Sequence, residues 1–118
     1  MMPRKIIAVV NDLMFTVKIL DAGKRAGLTV VFVKSAEDAV AQAEEAVAVI
    51  LDLNFAPLDL IAQLKTAEAT RKVPVIGYAS HVQAEVIRLA KEKGCDKVLA
   101  RSGFVQQLGP MMEALARS

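Results

Sequence analysis

The chain has 118 residues, a formal charge of +2 at pH 7, a hydrophobic fraction of 54% and a mean hydropathy of +0.39. That length suits one domain, residues 1–118, which buries roughly two thirds of the surface its unfolded form exposes and so needs no staple. Scattered charge, the absence of Trp and 4% aromatic residues argue against a nucleic-acid surface, and the single Cys95 against a disulfide framework or a thiolate metal cluster.

Arg4 and Lys5 precede the apolar run Ile6–Val10, but Asn11-Asp12 stops that run too early for a signal peptide. No apolar run approaches the ~20 residues a membrane helix needs, so the expectation is a cytoplasmic protein with no membrane partner. Ile6–Val10 reads as a strand buried on both faces. Phe15, Ile19, Ala22 and Ala26 then recur at helical spacing, with Lys18, Asp21 and Arg25 opposite and Gly27 at the C-terminal cap. Thr29–Val33 is a second strand. Ser35 suits the N-cap of a helix that buries Ala36, Ala39, Val40 and Ala43.

Val47–Leu51 is the third strand, and Asp52 ends it. Leu60, Ile61, Leu64 and Ala67 form a third helical face. Val73–Tyr78 is a fourth strand, with Pro74 near its start, where proline is tolerated. Val82, Val86, Leu89 and Ala90 define a fourth helix ended by Gly94. Lys97–Ala100 is a short fifth strand. Leu108, Met111, Met112 and Leu115 give a last helical face, whose start Pro110 leaves open.

Strands alternating with helices predict an α/β doubly wound sheet, five parallel strands in the order 2-1-3-4-5 between two helical layers, a flavodoxin-like three-layer sandwich. Ligands in such sheets gather at the carboxyl ends of the strands, where the strand order reverses. Here that point lies between strands one and three, so Asp12 and Asp52 are expected to meet. Two carboxylates brought together repel unless one is protonated or a cation joins them. With a backbone carbonyl and water they suit Mg²⁺. Beside such a cation an aspartate can attack a phosphoryl group to form an acyl phosphate, which Arg101, just past the fifth strand, is placed to contact.

From Ile6 to about Leu115 the chain resembles the receiver domain of two-component response regulators. The resemblance rests on Val9-Val10-Asn11-Asp12, Ile50-Leu51-Asp52-Leu53-Asn54-Phe55-Ala56-Pro57, Val73-Pro74-Val75-Ile76, Gly94-Cys95 and Val98-Leu99-Ala100-Arg101. It implies Asp52 as phosphoacceptor, and Mg²⁺ on Asp12, Asp52 and the backbone carbonyl of Asn54, with Asn11 reached through water. It implies a histidine kinase or phosphotransfer protein as phosphoryl donor. A protein partner would read the state from the helix 4–strand 5–helix 5 face, since no DNA-binding or enzymatic output domain fits in the remaining residues. Neither nucleic-acid binding nor enzymatic activity of its own is expected.

The chain departs from the family pattern at several positions. Asn11 replaces the first acid of a pair. Ala79 stands where the family has Thr or Ser at the end of strand four, leaving its backbone and Ser80 as phosphate contacts. Arg101-Ser102 replaces Lys-Pro, and arginine's planar fork is not lysine's point charge. Val98 stands where strand five often carries an aromatic residue. These changes support an alternative, a pseudo-receiver that binds proteins without phosphorylation.

Plainer roles stand beside these. Asp12 is a good N-cap. Ser80-His81-Val82-Gln83 fits a capping box for the fourth helix, and His81, the only histidine, reads as a loop residue beside the site. Arg101 has a surface reading, and Cys95 reads as packing. A phosphatase with Asp52 as nucleophile wants an acid where Asn54 stands. A flavin carrier wants hydroxyls where Asp12-Leu13-Met14-Phe15 stands.

Overall fold

The apolar runs become strands in the computed structural model, which describes residues 4–80 and 83–117. Among the described residues five strands, β1 (Lys5–Val9), β2 (Thr29–Phe32), β3 (Ala46–Asp52), β4 (Val75–Ala79) and β5 (Lys97–Ala100), alternate with helices α1 (Leu13–Arg25), α2 (Ala36–Ala43), α3 (Leu58–Thr66), α4 (Ala84–Glu92) and α5 (Arg101–Arg117). Every strand pairing is parallel, and the order is β2-β1-β3-β4-β5, as the alternation predicts. Among the described residues no helix is long and apolar enough to cross a membrane.

Strand alternation splits the core into two layers. Ile7, Val9, Val49, Leu51 and Val75 face α2, α3 and α4, packing on Ala39, Leu60, Ile61, Leu64 and Ala90. Ile6, Ala8, Ile50, Ile76 and Tyr78 face α1 and α5, packing on Phe15, Ile19, Phe104, Leu108 and Met112. The central strands are apolar on both sides because both sides are covered.

The helix ends follow the local sequence. Ser35 caps α2, its hydroxyl accepting the Asp38 N–H at 3.1 Å. Gly27 has φ +81°, and the N–H groups of Gly27 and Leu28 close onto the carbonyls of Lys24 and Gly23. Gly94, at φ +103°, ends α4 the same way, with Gly94 and Cys95 donating to Lys91 and Ala90. Only a residue without Cβ takes this left-handed conformation at low cost.

Two sequence expectations need correction, and one point left open is resolved. Helix α4 begins at Ala84 with Gln83 at its N-cap and no side-chain cap bond, so Ser80 does not cap it; Ser80 instead accepts the Gln83 N–H through its backbone carbonyl at 2.9 Å. Ala67 lies just past α3 in extended backbone rather than on its buried face. Pro110 sits inside α5, which already starts at Arg101. The proline is exposed, as is Gln106 four positions back, so water can take the carbonyl that loses its helical donor.

Candidate functional site

The site is built at the carboxyl ends of β1, β3, β4 and β5. In the sheet register Val9 lies opposite Leu51, Asp52 opposite Tyr78, and Ala79 opposite Ala100. The residues that follow β1 and β5, Asp12 and Arg101, are thereby carried to the same edge.

Asp12 is the N-cap of α1. Its Oδ1 accepts the backbone N–H groups of Met14 at 2.9 Å and Phe15 at 3.3 Å. Its Oδ2 accepts from Arg101 Nη2 at 2.9 Å, closing an ion pair between residues 89 positions apart. The Phe15 N–H first, then that of Met14 and the Arg101 guanidinium, hold the Asp12 carboxyl below its ordinary value. Arg101 also lies 4.7 Å above the Phe15 ring centroid, where the ring's negative face favours a cation.

Asp52 is the last residue of β3 and only 7% exposed. Its Oδ1 accepts the Asn54 N–H at 3.0 Å, and its backbone carbonyl accepts from Phe55 and Ala56 in the turn that follows. A buried carboxylate bonded through one oxygen is costly to hold and chemically available.

Around these groups stands an aromatic stack that the sequence pattern did not reveal. Tyr78 is fully buried between Phe104, 4.5 Å away between centroids, and Phe15, at 4.8 Å. Burial first, and the Asp52 carboxylate second, push the phenol well above the ordinary tyrosine range, with Asp12 adding to the effect and Arg101 opposing it. The hydroxyl thus lies in the field of all three charged groups. Among the described residues it makes no hydrogen bond of good geometry, although the Asp52 carboxylate lies within its reach. Phe104 escaped notice because the last helical face was read only from Leu108 onward, whereas α5 starts at Arg101. The available signal was a lone tyrosine in a doubly covered strand, since a buried phenol normally requires a partner.

The remaining expected residues fall as follows. Arg101 meets Asp12, through Nη2 to Oδ2. Ala79 is buried at the end of β4, one residue past Tyr78 and on the opposite face of the sheet, and Ser80 is half-buried. Asn11 is exposed beside Asp12, and Asn54 is exposed after β3. His81 and Val82 lie outside the described residues. Cys95 is buried, and its thiol, pushed up by burial, donates to the Val75 carbonyl at 3.4 Å, a packing role. Met112 is buried and Met111 half-buried against the same core.

Among the described residues no three His, Cys, Asp or Glu side chains gather as a ready-made metal cluster. The candidate donors at this edge are two carboxylates and a backbone carbonyl, oxygen ligands that fit a partly hydrated Mg²⁺ in kind. Arg101 competes for one of them through Asp12 Oδ2. That pair is partly exposed, 41% and 36% at the two side chains, so solvent can exchange it. The rim is apolar: Leu13, Met14 and Val17, on the first turns of α1, are among the large hydrophobic side chains left exposed.

No family model and no curated protein matches the chain. Solved structures do. The receiver domain of sensor histidine kinase PA1611 from Pseudomonas aeruginosa, with magnesium coordinated in its active-site cleft, is similar over 99% of this chain and 100% of its own, at 19% identity and TM-score 0.79. The chemotaxis response regulator CheY4 of Vibrio cholerae is similar over 97% of this chain and 99% of its own, at 17% identity and TM-score 0.77. The phosphorylated cyanobacterial phytochrome response regulator RcpA covers 97% of this chain and 91% of its own, at 19% identity and TM-score 0.76. The chain therefore has the receiver fold.

Proposed function

We propose that this chain is a receiver of phosphorelay signal transduction, with Asp52 as phosphoacceptor. The observation that carries the reading is Asp52 itself, a buried carboxylate at the reversal point of the strand order, with one oxygen held by a backbone N–H, at the same sheet edge as the Asp12–Arg101 ion pair. The receiver fold of the similar structures supports it.

In the proposed reaction a carboxylate oxygen of Asp52 attacks the phosphorus of a phosphohistidine on a histidine kinase or phosphotransfer protein. A P–O bond forms, the P–N bond breaks, and the imidazole nitrogen leaves with the electron pair and takes up a proton. The Asn54 N–H holds the carboxylate in place. Mg²⁺ on Asp12, Asp52 and the Asn54 carbonyl, with Asn11 through water, would neutralise charge on the phosphoryl oxygens. Arg101, released from Asp12, would contact them, with Ser80 and the Ala79 backbone as further contacts. The apolar rim of Leu13, Met14 and Val17 suits a protein donor better than a small molecule. Output would pass to a protein partner on the α4–β5–α5 face, and the chain would catalyse no reaction on a free substrate.

The test is intact mass after incubation with Mg²⁺ and phosphoramidate, comparing wild type with Asp52→Asn. One phosphoryl adduct in wild type and none in the variant is the expected result. A folded wild type that takes up no phosphoryl group at high donor concentration would sink the reading and leave a protein-binding module that works unmodified.

A further inference from the structure

The Tyr78 hydroxyl is the one feature of the site that the phosphoacceptor chemistry leaves idle. Its oxygen is buried and makes no hydrogen bond of good geometry among the described residues. Buried hydroxyls are nearly always bonded, and leaving one unbonded is costly, so such a group calls for an explanation. Its position is not accidental to the fold. Tyr78 pairs with Asp52 across β3 and β4. Strand alternation sends both side chains to the α1/α5 side, since Ile50 and Ile76, two residues earlier in each strand, lie in that layer. Phe15 and Phe104 clamp the ring from either side, so the hydroxyl has little freedom to seek another partner.

Two other residues near this edge lack what Tyr78 has. Ala79 offers no side-chain donor, and Asp52 has its backbone donor on one oxygen only. The Asp52 carboxylate lies within reach of the phenol and acts on it both by charge and as an acceptor, but the two make no hydrogen bond of good geometry. A phosphoryl group on Asp52 adds oxygen acceptors at this edge.

Resting on the phosphoacceptor reading of Asp52, we propose that the Tyr78 hydroxyl is the side-chain hydrogen-bond donor to the phosphoryl group on that residue. The Phe15–Tyr78–Phe104 stack then links the state of Asp52 to α1 and α5, because the ring that senses the phosphoryl group is packed between a residue of each helix.

The chain has one Tyr and no Trp, so its tyrosine absorption and emission report Tyr78 alone. The experiment follows the near-ultraviolet difference spectrum and the intact mass together, with Mg²⁺ alone and then with Mg²⁺ and phosphoramidate, for wild type, Asp52→Asn and Tyr78→Phe. The expected result is a change in the tyrosine spectrum that grows in step with the adduct in wild type and is absent in Asp52→Asn. Tyr78→Phe keeps the stacked ring and loses only the donor, and its adduct should build up about tenfold less, the worth of one hydrogen bond to a charged group. An adduct that forms in wild type without moving the tyrosine spectrum, and that Tyr78→Phe accumulates equally, would overturn the donor role while leaving the phosphoacceptor intact. No adduct in folded wild type would overturn both.

Discussion

At the amino ends of the strands, Asp96 is doubly bonded through one oxygen. Its Oδ2 accepts from Lys65 Nζ at 2.8 Å and from the Val75 N–H at 2.8 Å, and Lys65 also donates to the Val73 carbonyl at 3.1 Å. One acid and one base there tie α3, β4 and the approach to β5 together. At the carboxyl ends, Asp52 is more deeply buried yet accepts a single backbone N–H at its carboxylate, and the Tyr78 hydroxyl within its reach makes no hydrogen bond of good geometry among the described residues. The same residue type is used as a structural clasp at one end and left under-bonded at the other. Polar groups that serve only stability are driven to full pairing, because an unpaired one costs free energy. On the proposed reading, the phosphoryl group on Asp52 completes the bonding at this under-bonded end.

The sharpest way to break this contrast is to remove the support of the under-bonded end. Phe104→Ala should cost about 3–5 kcal/mol in urea unfolding, the usual range for a fully buried aromatic. It should also free the tyrosine ring, seen as loss of near-ultraviolet circular dichroism. A variant as stable as wild type would mean that the stack is not what holds the upper edge.

The amino-end clasp should yield a smaller loss. Asp96→Ala leaves the Val75 N–H and Lys65 without their shared acceptor, and about 1–2 kcal/mol of stability should go, discounted because the Asp96 side chain is 44% exposed. Phosphoryl uptake at the far edge should be unchanged. A marked fall in uptake by this variant would show that the two ends are coupled.

The smallest effect concerns Arg101. It holds Asp12 Oδ2, an oxygen that the proposed Mg²⁺ site needs. Arg101→Ala removes the competing cation, so Mg²⁺ should bind about two- to fivefold more tightly in a calorimetric titration, in keeping with a partly exposed ion pair. Weaker binding would mean that the arginine organises Asp12 for the metal rather than competing with it.

Much of this was legible in the chain alone. Short apolar runs alternating with helical periods set the parallel sheet and its strand order, because strands covered on both faces must be apolar throughout and right-handed crossovers leave few topologies. Gly27, Gly94, Ser35 and Asp12 marked their helix ends, since capping depends on backbone conformation and on donors only two or three residues away. Asp52 stood out as a carboxylate closing an apolar strand. The tertiary structure alone decided what these residues touch. Arg101 reached Asp12 across 89 positions, α4 started past the apparent Ser80 capping box, and Phe15, Tyr78 and Phe104 came from three elements into one stack. Periodicity records which face of an element is buried. It carries no record of which residue from another element lies against that face, and that contact fixes the Tyr78 hydroxyl beside Asp52 with no well-formed bond among the described residues.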